Sequence, residues 1–116
     1  MNVQIFGKSK CFDTKKAERW FKERRIKVQS VDLVKYGISP GELKSVVNAV
    51  GLEALIDQKH PDAALLNYLA YDNQKLDKLL EDPRLLRTPI VRNGRQATVG
   101  YCPEVWQTWA LSLIHI

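Results

Sequence analysis

The N-terminal part of the chain changes its hydrophobic period twice, and this pattern limits the fold more than any other feature. Residues 3–6 are β-branched and aromatic and end at a glycine, which predicts a short strand. A helical period follows over residues 14–24, with Asp13 or Thr14 available as the N-cap. Residues 27–33 return to extended character. Strand, helix and strand in this order imply two parallel strands joined by a right-handed crossover.

The middle of the chain, about residues 39–82, is predicted to be a helical insert. Ser39, Pro40 and Glu42 form a capping box with proline at the first helical position, and Gly51 ends that helix. Apolar residues at helical spacing then predict two shorter helices. The first begins after His60-Pro61 and includes Ala64, Leu65, Tyr68 and Leu69; the second runs from Asp72 through Leu76, Leu79 and Leu80 to Asp82-Pro83.

The C-terminal part predicts a hairpin and a last helix. Residues 89–92 and 96–99 flank Asn93-Gly94, a pair that tolerates positive φ at both positions of a tight turn. Pro103 then begins a helix. The expected apolar face of this helix consists of Val105, Trp106, Trp109, Ala110 and Leu113. Trp20, Trp106 and Trp109 are predicted to lie in the core.

The order β-α-β, helical insert, β-β-α predicts an α/β fold with thioredoxin-like topology and a four-stranded mixed sheet. One domain of residues 1–116 is expected, because this length buries enough surface to fold as one unit.

Composition excludes several classes of function. Lys and Arg exceed Asp and Glu by 18 to 13, but the charge is spread out. No aromatic residues interleave with the basic doublets Lys15-Lys16 and Arg24-Arg25 in the manner of a single-strand binder, so no direct nucleic-acid binding is expected. No apolar run approaches the ~20 residues that cross a bilayer, so no membrane partner is expected. The two cysteines are far apart and residues 1–4 lack a leader pattern, which predicts a cytoplasmic protein with reduced thiols. His60 and His115 lack partners at ligand spacing, so neither a metal nor a bound cofactor is predicted.

Cys11 stands at the start of the first predicted helix. The unpaired N–H groups and the positive end of the helix dipole favour a thiolate there, which lowers a cysteine pKa and makes a nucleophile. Lys8, Lys10 and Lys15 are close in sequence and are predicted to stabilise that thiolate. The alternative is a cysteine that only packs at the end of a strand.

The chain resembles the ArsC family, which contains arsenate reductases, Spx regulators and YffB-like proteins. The resemblance covers nearly the whole length, and its specificity comes from the order and spacing of several short motifs. These are the strand into Cys11, Thr14-Lys15-Lys16-Ala17, Leu55-Ile56-Asp57-Gln58-Lys59, Leu85-Leu86-Arg87-Thr88-Pro89-Ile90-Val91 and Val99-Gly100-Tyr101.

The resemblance implies that Cys11 attacks an oxyanion or a disulfide. Thr14 occupies the place of the second cysteine in a Cys-x-x-Cys pair, so an internal dithiol is excluded there. Its hydroxyl is expected to cap the helix or to hydrogen-bond the sulfur. Glutathione, as a cosubstrate, or a glutaredoxin would then resolve the adduct. The resemblance also implies a cis peptide bond before Pro89, with Thr88 and Pro89 facing the cysteine.

Arsenate reductases of the family gather the oxyanion with three arginines, and the matching positions here are Lys59, Thr88 and Tyr101. Each lost charge-assisted hydrogen bond costs about 1.5–3 kcal/mol, so arsenate reduction is expected to be inefficient. Arg87, one position before Thr88, is a candidate substitute for the missing arginine. Strand alternation predicts that it aims away from the site unless the strand is distorted, which leaves Lys59 as the better oxyanion ligand.

Cys102 has two interpretations, a resolving thiol or packing at the start of the last helix. The leading hypothesis for the chain is a monothiol oxidoreductase that depends on glutathione or a glutaredoxin, with Cys11 as its nucleophile. The alternative is an Spx-like protein-binding module that contacts RNA polymerase without redox turnover.

Overall fold

The computed structural model describes residues 2–114, with side chains placed up to Leu111. Its four strands are β1 (Val3–Gly7), β2 (Val28–Asp32), β3 (Ile90–Asn93) and β4 (Gln96–Val99). They form one sheet in the order β2-β1-β3-β4. β1 is parallel to β2 and antiparallel to β3, and β3 is antiparallel to β4. The predicted mixed, thioredoxin-like sheet is therefore confirmed.

Seven helices accompany the sheet within the described part of the chain. They are α1 (Phe12–Glu23), α2 (Leu33–Tyr36), α3 (Pro40–Val50), α4 (Leu52–Leu55), α5 (Ala63–Leu66), α6 (Asp72–Glu81) and α7 (Pro103–Ile114), with a 3₁₀ turn at Pro83–Leu85.

The sheet separates two hydrophobic clusters because strand residues alternate between its faces. Val3 and Ile5 face α1 and α7, and Phe6 faces the helical insert. The first cluster adds Ala17, Trp20, Phe21, Val91, Trp106 and Trp109. The three tryptophans are buried, as predicted, and the Trp106 indole N–H donates to the Thr98 hydroxyl at 2.8 Å.

Helix α1 begins two residues earlier than predicted, and Cys11 rather than Asp13 or Thr14 is its N-cap. The Lys15 N–H donates to the Cys11 carbonyl at 3.3 Å, which places Asp13 and Thr14 inside the first turn. Thr14 therefore does not cap the helix. Local sequence favoured the oxygen-bearing residues as caps, but the packing of Thr14 against the end of β1 sets the boundary.

The insert departs from the prediction between its two larger helices. The helix predicted to continue to Leu69 is shorter and consists only of α5. Leu65 and Tyr68, predicted to lie on its apolar face, are exposed. The residues that reach the core are Ala63 and Leu66. Beyond α5 the backbone N–H groups bond to the third preceding carbonyl, which tightens the chain and ends the α-helical period.

The hairpin turn lies one residue later than predicted. Asn93 pairs with Gln96, so the two turn residues are Gly94 and Arg95. Only Gly94 has positive φ, at 61°, as in a turn with glycine at its first central position. In α7, Val105 is exposed instead of lying on the apolar face, whereas Trp106 and Trp109 are buried; the Leu113 side chain lies outside the described residues.

Gly7 ends β1 in close contact with α1. A Cβ added at Gly7 would overlap the Thr14 methyl carbon and lie 2.8 Å from its hydroxyl oxygen. The absence of a side chain therefore allows the first turn of α1, and with it Cys11, to lie against the strand end.

We expect Gly7→Ala to lower the free energy of unfolding by about 1–3 kcal/mol, because the new methyl must displace the buried Thr14 side chain in the first turn of α1. Gly41→Ala is the matched control, since nothing lies within 4 Å of a Cβ at that position in α3. It should leave stability unchanged or raise it by up to about 1 kcal/mol. Urea denaturation of both variants measures the difference, and equal midpoints would contradict the packing role of Gly7.

Candidate functional site

Cys11 is the half-buried N-cap residue of α1. Its backbone is extended, with φ −90° and ψ 115°, and its side chain makes no capping hydrogen bond to the helix. The thiol instead donates to the Thr88 carbonyl, with 3.6 Å between sulfur and oxygen. The Thr88–Pro89 peptide bond is cis, as the resemblance implied. The sulfur and the residue before the cis-proline therefore lie in contact.

The surroundings of Cys11 lower its pKa below the ordinary cysteine value. Burial is the largest influence and acts against the thiolate, but hydrogen bonds outweigh it together. A thiolate would accept them from the side chains of Thr14 and Thr88 and from the backbone of Thr14 and Asp13 in the first turn of α1. The start of α1 thus acts on the Cys11 pKa in the predicted direction, and the Thr14 side chain contributes most.

The Thr14 hydroxyl is a buried group without a hydrogen-bond partner among the described residues when Cys11 is a thiol. Its residue is 7% exposed, so water does not satisfy the hydroxyl. The same hydroxyl leads the hydrogen bonds that lower the Cys11 pKa, which indicates that a thiolate at Cys11 would be its partner. Of the two roles considered for Thr14, the structure favours the one toward the sulfur.

Cys11 opens on a cavity of about 450 Å³ between the start of α1, the segment after α4 and the residues before β3. The wall contains two cations and three carboxylates, and its only sulfur among the described residues belongs to Cys11. The lining residues are Cys11, Asp13, Glu53, Ile56, Asp57, Gln58, Lys59, Arg87 and Thr88.

Arg87 lines this cavity, and the prediction that it aims away is wrong. Strand alternation does not apply, because Arg87 precedes β3 and lies in a segment that pairs with the end of α4. Its N–H donates to the Leu55 carbonyl at 2.8 Å, and its guanidinium donates to the Ala54 carbonyl at 3.4 Å. Lys59, the other predicted oxyanion ligand, lies on the same cavity.

Lys8 and Lys15 do not line the cavity that Cys11 opens on, contrary to their predicted role. The Lys8 ammonium donates to the carbonyls of Arg84 and Leu86 at 2.9 and 2.8 Å. This ties the loop before Cys11 to the segment before the cis-proline. Lys15 is exposed and lines a separate groove with Lys8 along β2.

Cys102 is half-buried and packs against the tryptophan cluster of α1 and α7. Its thiol donates to the Val99 carbonyl at 3.3 Å. Burial, with a smaller contribution from Glu104, raises its pKa, so it is a poor attacking thiol at neutral pH. It does not line the Cys11 cavity. These observations favour packing over the resolving role.

The acidic part of the cavity was missed by the sequence reasoning. Asp13, Glu53 and Asp57 bring carboxylates to the wall, and Glu53 also pairs with Lys75 at 3.4 Å. Asp57 accepts from the Lys59 N–H at 3.0 Å. Asp57 lies within a motif that carried the resemblance, so its place on the cavity could have been inferred. Glu53 gave no comparable signal.

No helix within residues 2–114 is long and apolar enough to span a membrane. Histidine, cysteine and acidic side chains form no group of three that would hold a metal ion in that range.

The site is a half-exposed thiol of lowered pKa beside a cis-proline, beyond the end of β1 in a thioredoxin-like sheet. The sequence comparison gives a family with the same fold. The ArsC family profile matches residues 6–109. The chain belongs to the ArsC family.

Named relatives include both regulators and reductases. The chain is 30% identical to global transcriptional regulator Spx 2 of Oceanobacillus iheyensis, over 97% of this chain and 96% of the relative. It is 26% identical to regulatory protein MgsR of Bacillus subtilis, over 87% and 84% of the two chains. Among solved structures, an arsenate reductase from Vibrio cholerae superposes with a TM-score of 0.81 at 25% identity, over 93% and 97% of the two chains.

The role of the Thr14 hydroxyl is testable by following the Cys11 thiol alone. In a Cys102→Ser background, Cys11 is alkylated by iodoacetamide faster as more of it becomes thiolate. The inflection in a plot of this rate against pH therefore reports the Cys11 pKa. We expect Thr14→Val to move the inflection to higher pH, because the thiolate loses a buried donor.

Thr108→Val, an exposed substitution on α7, is the control and should leave the inflection in place. An unchanged inflection in Thr14→Val would show that this hydroxyl does not stabilise the thiolate.

Proposed function

We propose that the chain is a monothiol oxidoreductase that exchanges disulfides with glutathione-containing substrates through Cys11. The observation that carries the proposal is a thiol of lowered pKa on a cavity that no second sulfur lines within the described residues. Such a thiol begins an exchange readily but needs an external thiol to complete it.

The exchange has two steps. The Cys11 thiolate attacks the glutathione sulfur of a mixed disulfide, which forms a Cys11–glutathione disulfide and releases the other thiol as a thiolate. A second glutathione thiolate then attacks the glutathione sulfur of that adduct. Glutathione disulfide leaves and the Cys11 thiolate is regenerated. In sum, one mixed disulfide and one glutathione thiol become one free thiol and one glutathione disulfide, so glutathione is the reductant.

The charges of the cavity support a zwitterionic substrate over a small oxyanion. Arg87 and Lys59 suit carboxylates, and the carboxylates of Glu53 and Asp57 suit an ammonium group. Glutathione presents both kinds of charge. Arsenate presents only negative charge, and three carboxylates on the wall repel it. Arsenate reduction is therefore a weak activity in this proposal.

The test is turnover of the glutathione mixed disulfide of 2-mercaptoethanol, coupled to glutathione reductase and followed by NADPH oxidation. We expect Cys11→Ser to lower the rate by about 100-fold or more, because the nucleophile is lost. Cys102→Ser is the matched control and should retain most of the rate. Arsenate should give a much lower rate than the mixed disulfide. Turnover that survives in Cys11→Ser, or an unmodified chain with no turnover, would overturn the proposal.

A second candidate is a regulatory module that binds RNA polymerase without redox turnover. It is favoured by the relatives named as regulators, one of which is 30% identical over nearly all of both chains. Thr14 in place of a second cysteine removes a disulfide gate at this position.

This alternative predicts that the chain binds purified RNA polymerase equally well with and without dithiothreitol. Surface plasmon resonance measures the affinity, and Cys11→Ser should bind as the unmodified chain does. Undetectable binding at micromolar concentrations of polymerase would exclude it.

A further inference from the structure

The positive charge of the chain is concentrated around α1. Residues 8–27 contain nine of the 18 Lys and Arg residues but only three of the 13 Asp and Glu residues. This segment carries a net charge of +6, nine cations less three acids, against +5 for the whole chain. The remainder of the molecule is therefore close to neutral, and the electrostatic field is one-sided.

The outer face of α1 presents these cations in a row. Lys15, Arg19 and Lys22 are exposed and follow i, i+4, i+7, so they share one side of the helix over about 10 Å. None of the three has an ion pair or a side-chain hydrogen bond with the described residues. Their charge is therefore available to a partner.

A groove of about 450 Å³ continues this face toward the start of α7. Arg19 lies on it with Arg24 and Lys16. The Arg24 guanidinium lies 3.9 Å from the Trp20 ring centroid, and the Lys16 ammonium lies 5.8 Å from that of Tyr101.

The groove also contains Glu23, which pairs with Arg24 at 4.0 Å, and Lys16 pairs with Asp13 at the same distance. Cations still outnumber acids on its lining, and Arg19 is the one among them without an ion pair to the described residues.

These contacts favour an acidic protein surface over a nucleic acid. Trp20 is buried under a guanidinium and offers no free face on which a base could stack. Glu18 and Glu23 alternate with the cations along α1 and would repel a continuous phosphate backbone. A protein surface places its carboxylates individually and can avoid both.

The basic face begins at the reactive residue. Cys11 is the N-cap of α1, Phe12 beside it is 79% exposed, and Lys15 follows about 6 Å along the helix axis. A protein held on this face therefore contacts the end of the helix at which the sulfur lies.

We propose that the outer face of α1 (Lys15, Arg19 and Lys22) with its adjoining groove docks an acidic protein dithiol that reduces the Cys11 adduct. This inference rests on the proposed function for the reaction but not for the binding. A partner thiolate attacks the Cys11 sulfur of the Cys11–glutathione disulfide and releases glutathione as a thiolate. The second partner thiolate then attacks the partner's own sulfur in the interprotein disulfide, which frees the Cys11 thiolate. The dithiol ends as a disulfide, having supplied two electrons.

The probe is a synthetic Cys-Gly-Pro-Cys peptide with a polyglutamate tail, and its twin has a polyglutamine tail of equal length. Stopped-flow measurement follows reduction of the preformed Cys11–glutathione adduct. At low salt the glutamate peptide should react about tenfold faster or more, because steering raises encounter rates. At about 1 M salt, where the Debye length is about 3 Å, the two rates should converge.

Arg19→Glu with Lys22→Glu should abolish the advantage of the glutamate peptide. The matched control is Lys44→Glu with Arg95→Glu, which changes net charge equally at two cations of a separate groove. The control should keep most of the advantage. Dithiothreitol, a neutral reductant, should reduce the adduct equally fast in all forms.

Equal rates for the two peptides, or an equal loss in both double variants, would overturn the docking surface. A binding measurement that needs no reaction separates the docking surface from the proposed function. The glutamate peptide is labelled with a dye, both of its cysteines are replaced by serine, and its fluorescence anisotropy reports its affinity for the chain. If Arg19→Glu with Lys22→Glu weakens this affinity about tenfold or more and the control variant does not, the surface is supported even without turnover. Tighter binding of a duplex DNA than of this peptide, lost in the same variant, would overturn the proposal in favour of a nucleic acid.

Discussion

The position of the reactive sulfur depends on how the end of β1 meets the start of α1. Gly7 has no side chain, so Thr14 packs directly against the strand end and sets where the helix begins. The Lys8 ammonium then ties the intervening loop to the carbonyls of Arg84 and Leu86. The segment that follows contains Thr88, whose carbonyl accepts from the Cys11 thiol. A lysine expected to act on the thiolate through its charge instead fixes the two loops between which the thiol lies.

Sequence patterns predicted the strands, the crossover and the place of Cys11 at the start of a helix, because each has a local physical cause. Periodicity identifies β1 and α1, and a helix N-terminus favours a thiolate whatever surrounds it. Errors occurred where tertiary contacts decide. The helix boundary at Cys11 follows from packing at Gly7. Arg87 reaches the cavity because it precedes β3, and side chains alternate between faces only within a strand. The carboxylate of Glu53 arrives from a short helix that no pattern predicted.

Replacing a second cysteine by threonine changes the chemistry more than it changes the fold. A cysteine at position 14 would supply an internal resolving thiol, whereas the Thr14 hydroxyl is redox-inert and buried beside the sulfur. A hydroxyl cannot attack a disulfide formed at Cys11. Cys102 does not compensate, because its pKa is raised by burial and it lies off the cavity. In the proposed function, an adduct at Cys11 would therefore persist until an outside thiol reaches it.

The chain is similar to proteins named as transcriptional regulators and to proteins named as arsenate reductases. In this chain Cys11 caps α1, and the basic outer face of that helix begins one turn away. Under the proposed function, the sulfur that carries the adduct and the surface that receives its reductant therefore belong to the same helix. Their proximity, and not an internal disulfide, would bring an outside thiol to the adduct.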